Sequence, residues 1–161
     1  MLKRKSLKQM VNFNKMYESV SVCGVVTVPD GRILAHRLCL STGKSEWSAM
    51  IHTNCYGPHN PSVIMRRLAR ERFGIWPPPG NMKHIISHSK NSYACDGTAL
   101  NFQVYHIKFI NTVEFEVKND VETMAIPFRR IIEDLKSGVW TSSSVKIFNV
   151  LDRMCKKEFD K

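Results

Sequence analysis

The sequence predicts an α/β domain, a mixed β-sheet with helices on its faces. Three observations lead there. An apolar, valine-rich hairpin comes early, a well-capped helix follows it, and two helices with one-sided apolar stripes close the chain after further strands.

The hairpin begins at about Ser19, where Val20, Val22, Val25 and Val26 mark a strand running to Val28. Pro29-Asp30-Gly31 turns the chain, because proline pre-sets φ and glycine accepts a positive φ. Ile33 to Arg37 then returns as the second strand. A polar loop from Ser41 to Glu46 leads to an apolar patch at Trp47, Met50 and Ile51. Asn60-Pro61 opens a helix: asparagine caps exposed amides and proline is tolerated in the first turn. Ile64, Met65, Leu68 and Ala69 share one face of it, and Gly74 is placed to end it.

Trp76 to Gly80, with three consecutive prolines, is an irregular connection. Met82 to Ser89 and Leu100 to Ile110 read as strands joined through an Asp96-Gly97 turn, and Thr123 to Ile126 as a short one. Pro127 starts a helix with Phe128, Ile131, Ile132 and Leu135 at i, i+3, i+4 and i+7, stopped near Gly138. A last helix from about Ser142 to Lys157 carries Ile147, Phe148, Leu151, Met154 and Cys155 on one stripe. The expected organisation is a basic arm or helix over residues 1–18 and one domain over 19–157.

The 161 residues contain no apolar run of membrane-spanning length and no secretory signal pattern. Five cysteines, an odd number without close pairs, give neither a disulfide framework nor zinc-ligand spacing. They read as free thiols, and the expected location is the cytoplasm with no membrane association. Lysine and arginine number 24 against 14 acidic residues, a net charge of +10, which favours encounters with phosphate-bearing polyanions.

The segment from Val25 to Arg37 resembles the opening hairpin of the Nudix superfamily, and Trp47-Ser48 resembles the start of that family's W-x-L-P-G-G segment. Arg67-Leu68-Ala69-Arg70-Glu71-Arg72-Phe73-Gly74-Ile75 falls where the family has R-E-U-x-E-E-x-G-U. Asp120 to Ile132 is similar to its closing strand and helix. The resemblance implies a Nudix-like α/β/α sandwich and, in an active member, a magnesium-dependent phosphoanhydride hydrolase. It also implies a degenerate box. The three positions that would supply carboxylates to the metal read Leu68, Glu71 and Arg72, the upstream acid falls on His59, and the box glycine falls on Thr53.

Thr53 to His59 is also similar, locally, to a stretch of isopentenyl-diphosphate isomerases. There His59 matches a metal-binding histidine, but Cys55 is displaced by two, Asn101 and Gln103 fall on an acidic pair, and Ser19 replaces a histidine. Isomerase activity is not expected. Cys55 as a nucleophile would need His52 or His59 as its base.

Hard divalent ions require carboxylate oxygens, so losing them weakens catalysis. Glu71 is the remaining metal candidate, and Glu71 with Glu122 are the catalytic candidates. Glu71 also lies four residues after Arg67, at ion-pair spacing. Arg66, Arg67, Arg70 and Arg72 are candidates for pairing with phosphate, with His59 beside them. Trp47, or else Tyr56 or Trp76, is a candidate for stacking a base.

The reading that follows is a protein that binds nucleotide or nucleic acid with weak or absent hydrolysis. Two alternatives stay open. One is a magnesium-dependent pyrophosphohydrolase acting on a nucleoside-diphosphate derivative; the other is a protein-interaction or regulatory module on the same scaffold. No cofactor beyond magnesium in an active enzyme is implied.

Overall fold

The computed structural model describes residues 20–39, 43, 45–55, 60–88, 101–109 and 122–159. The elements are β1 (Val20–Thr27), β2 (Ile33–Cys39), β3 (Ser45–Ser48), β4 (Ile51–Cys55), α1 (Pro61–Phe73), a 3-10 turn (Pro79–Asn81), β5 (Met82–His88), β6 (Asn101–Lys108), β7 (Thr123–Ile126), α2 (Phe128–Asp134), α3 (Ser142–Met154) and a short α4 (Lys156–Phe159). The basic arm over 1–18, the Asp96-Gly97 turn and His59 lie outside the described residues.

The seven described strands form one mixed sheet, with β3-β2-β1-β6-β5 as its spine, β4 paired to β1 and β7 paired to β2. β1 is antiparallel to β2 and β4 and parallel to β6, with which it is in register from Val20↔Asn101 to Thr27↔Lys108. A core packs on each face of β1, which is why its valines form a nearly continuous run instead of alternating with polar residues.

Val22 and Val26 face a core built with Leu34, Ile51, Ile107 and the Met65, Leu68, Ala69, Phe73 stripe of α1. Cys23 and Val25 face the other core, with Ile33, Val104 and the apolar sides of α2 and α3, including Ile131, Phe148 and Leu151. The sheet is thus sandwiched between α1 on one face and α2 to α4 on the other.

α1 begins and ends as its sequence requires. The Asn60 side chain accepts from the Ser62 amide at 3.1 Å, and Gly74 at φ 68° sends its N–H to the Arg70 carbonyl. β3 and β4 differ from the expected loop and apolar patch. Ser45, Glu46 and Ser48 carry little strand preference of their own. Their extended state comes from tertiary pairing, Ser48 through Ser45 opposite His36 through Cys39, an override that local composition does not reveal. The two-residue step at Ala49-Met50, both buried, then carries the chain from β2's pairing to β1's.

The last helix also differs. α3 ends at Met154, Cys155 leaves helical geometry, and α4 places the buried Phe159 ring against Phe128 at 5.3 Å. Among the described residues, no helix is long and apolar enough to cross a membrane.

At Gly24 the α1 side chains pack close against the sheet backbone. A Cβ there would lie 2.8 Å from Met65 Sδ, 2.9 Å from Ile107 Cδ1 and 3.1 Å from Ile51 Cγ1. Gly24→Val should therefore overpack this core and cost about 1–3 kcal/mol. In a thermal melt the midpoint is expected to fall by several degrees; an unchanged midpoint would show that the core has slack at this point.

Candidate functional site

The four arginines and one glutamate of α1 point in different directions. Leu68 is buried in the core between helix and sheet, so the first of the three expected carboxylate positions is part of the hydrophobic packing. Glu71 is exposed and lies 3.8 Å from Arg67, with both side chains more than half accessible. Such an exposed i,i+4 pair contributes only about 0.3–0.5 kcal/mol.

Arg66 donates from Nε to the Pro77 carbonyl at 2.9 Å, and its guanidinium stands 4.8 Å from the centre of the Trp76 ring; that of Arg70 stands 5.2 Å from it. These two arginines hold the proline-rich segment to the helix. Arg72 is the exception. Among the described residues it makes no ion pair or hydrogen bond, and its charge falls on His36 of β2 and His52 of β4.

His36 is buried, with its Nε2 3.1 Å from the Met50 carbonyl and its ring edge-on to Phe73 at 5.6 Å. Nε2 must donate to that carbonyl, which leaves Nδ1 as a buried acceptor without a hydrogen-bond partner in the structure. Burial, opposed by the Met50 bond but reinforced by the charges of Arg72 and His52, pushes the His36 pKa down to about 4. His52 keeps an exposed edge, yet the protein packed around it and then the Arg72 guanidinium hold its pKa below the usual value. Beside the helix, Arg72 therefore stands near two neutral imidazoles, His36 buried and His52 at the surface.

Glu122 lies elsewhere. It meets Arg37 Nη1 at 2.9 Å, and its carbonyl accepts the Arg37 amide at 2.9 Å. In the alternation of β2, Arg37 follows Ile33 and Ala35, which belong to the face turned away from α1. Trp47, opposite Arg37 on β3, packs against that same far core, and its backbone bonds Val139 and Thr141. Glu71 and Arg72 thus share one layer, while Glu122 and Trp47 share the other. Thr53 and Cys55 lie on β4.

The side chains at residues 68, 71 and 72 do not suit magnesium: a buried leucine, a glutamate engaged by arginine, and an arginine. Among the described residues, no group of three or more His, Cys, Asp or Glu side chains could hold a metal ion. His36 carries no signal in the sequence beyond being one of six scattered histidines, and His52 stands out only as a neighbour of Cys55. Both gain meaning from strand pairing.

This architecture is the MutT/Nudix fold. Similar solved structures include a MutT protein from Methanosarcina mazei Go1 (13% identity, TM-score 0.59, covering 84% of this chain and 93% of that one). The DR0079 protein from Deinococcus radiodurans is similar at 11% identity and TM-score 0.63, covering 86% and 83%. A MutT/Nudix family protein from Enterococcus faecalis is similar at 14% identity and TM-score 0.52, over 74% of this chain and 50% of that one. No family model and no curated protein matches the sequence, so neither the degenerate box nor the isomerase echo gains support at that level.

Because His36 has a lower pKa in the folded state than the ordinary 6.5, the unfolded chain binds its proton first as pH falls. The resulting stability is present above about pH 6.5 and drains away toward pH 4, by about 3 kcal/mol. Urea-unfolding free energies measured at pH 7 and 4.5 should differ much less in His36→Gln than in the unsubstituted protein; parallel pH profiles would contradict this assignment.

Proposed function

We propose that the protein binds phosphate-bearing ligands, nucleotides or nucleic acid, at the α1 surface around Arg72, with phosphoanhydride hydrolysis weak or absent. The observation that carries this reading is the exchange of charge at the box positions. Where a metal-dependent site needs several carboxylates, this helix has buried Leu68, Glu71 paired with Arg67, and Arg72 without an acidic partner among the described residues. A guanidinium supplies donors that match phosphate oxygens in pairs, so an anion can be held there without a bridging cation.

The net charge of +10 raises the rate at which such ligands arrive. Trp76, half exposed beside Arg66 and Arg70, offers an indole surface for a base near the same helix. Trp47, buried in part on the far face, is less suited to that role. Arg67 and His59 remain candidates for extending the anion site.

The test is equilibrium binding of a nucleoside diphosphate and of a short single-stranded RNA, each across a salt series and with either magnesium or a chelator. Affinity is expected to fall steeply with salt, to be indifferent to the chelator, and to drop about tenfold or more in Arg72→Glu. Absence of binding at low salt would defeat the proposal. Magnesium-dependent phosphate release that disappears in Glu71→Gln would replace it with the hydrolase reading. Capture of one stoichiometric protein partner without nucleotide binding would favour the interaction module.

A further inference from the structure

A cavity of about 500 Å³ opens where the β1–β2 turn, the end of β6, the start of α2 and the C-terminal turn meet, and no residue of α1 lines it. That volume suits a small molecule. Its walls are largely apolar and partly aromatic, with Val28, Pro29, Phe109, Pro127, Phe128 and Phe159 contributing to them. The Phe128 and Phe159 rings are both buried and stack with centroids 5.3 Å apart and planes inclined at 23°. Such a wall favours a further planar ring, in offset or edge contact. The charged lining residues Asp30, Arg32, Lys108 and Arg129 are exposed and belong to the mouth.

Two buried polar side chains also line the cavity, Thr27 at 6% exposed and His106 at 3%. Thr27 Oγ1 lies 2.7 Å from His106 Nε2, and His106 Nδ1 lies 2.8 Å from Glu158 Oε1. The other Glu158 oxygen accepts from Lys83 Nζ at 3.0 Å. Burial, only partly offset by the Glu158 bond, lowers the His106 pKa and keeps the ring neutral. Burial alone would raise the Glu158 pKa, but its bonds to His106 and Lys83 outweigh this and keep it ionised. A carboxylate can only accept, so Nδ1 must carry the imidazole proton, and Nε2 must then accept from Thr27. The threonine hydroxyl has thus given up its only proton, and among the described residues nothing donates to its lone pairs. The backbone amides around it are spent as well. Val28 N–H goes to the Arg32 carbonyl, Gly31 N–H to that of Val28, and Phe109 N–H to that of Thr27. The buried polar end of the cavity therefore accepts and does not donate.

We propose that this cavity binds a small uncharged aromatic molecule that donates one hydrogen bond to Thr27 Oγ1, a phenol being the simplest of the class. The ring of the ligand covers the apolar wall, and its O–H supplies the donor that the threonine lone pairs lack. A carboxylate presented to Thr27 would set acceptor against acceptor. An ammonium would donate, but the charges of Lys83 and Lys108 both reach His106, where Glu158 is the one carboxylate bonded to the ring. An uncharged donor escapes both penalties. A ligand without any donor leaves a nearly buried hydroxyl oxygen facing apolar atoms, which weakens binding. Glu158 acts through His106, since by fixing the tautomer it holds the Thr27 proton away from the ligand and sets the direction of the bond. This site is independent of the α1 surface.

The probes are 2-naphthol, which carries the donor, and its methyl ether 2-methoxynaphthalene, which does not. Titration of the full chain followed by NMR gives both affinities, and intermolecular NOEs show where each probe sits. The naphthol should bind about tenfold more tightly than the ether. Its ring should show NOEs to the Thr27 methyl group and to the Phe128 and Phe159 rings. Thr27→Val puts a methyl group where Oγ1 stands, between the ligand and His106 Nε2, and should erase the preference while the ether still binds. Thr27→Ser should keep it. No saturable binding, equal affinity for the two probes, NOEs to Trp76 in place of the two phenylalanines, or a preference that survives Thr27→Val would each overturn the proposal. The comparison of probes and the NOEs use the unsubstituted protein and so do not depend on how any variant folds.

Discussion

β1 is bonded on one edge to β6 along its whole length and on the other to β4 and β2 in succession, with a separate core packed on each face. A strand in that position has no solvent-facing side, and every residue on it is constrained by two layers at once. Gly24 satisfies one of these constraints, because a residue without a side chain lets Met65 of α1 reach the sheet. The placement of α1, and through it the direction of Arg72, depends on this contact. Thr27 at the other end of the same strand is placed by the same ladder, which sets it opposite Lys108 and beside His106.

Much of this architecture is legible in the sequence because it rests on local signals. The valine run with Pro29-Asp30-Gly31, the Asn60-Pro61 start and Gly74 stop of α1, and the 3.6-residue stripes of Ile131 and Phe148 each follow from short-range chemistry. β3 escapes because its extended state is imposed by β2, and no periodicity appears in four residues. The break at Cys155 escapes because what sets it is the docking of Phe159 against Phe128, a contact between residues 31 positions apart by number alone.

The candidate sites divide along the same line. That residues 68 and 72 are leucine and arginine, not carboxylates, can be read directly from the chain, since it is a matter of residue type. Where the remaining charges point cannot. Arg66 and Arg70 turn to Trp76, Arg67 to Glu71, and Glu122 to Arg37 on the opposite face of the sheet, outcomes decided by packing. The pairing of Thr27 with His106 and of His106 with Glu158 spans separations of 79 and 52 residues and leaves no motif at all.

The clamp of Arg66 and Arg70 on Trp76 bears on how the basic character of this chain is to be understood. An arginine fastened by an aspartate or glutamate brings a compensating anion with it. An indole ring and a carbonyl do the same fastening without adding any negative charge. Two guanidiniums are thereby engaged in architecture while still counting in full toward the protein's long-range field. Part of the surplus that draws anions toward the molecule is thus a by-product of how one irregular segment is fastened down.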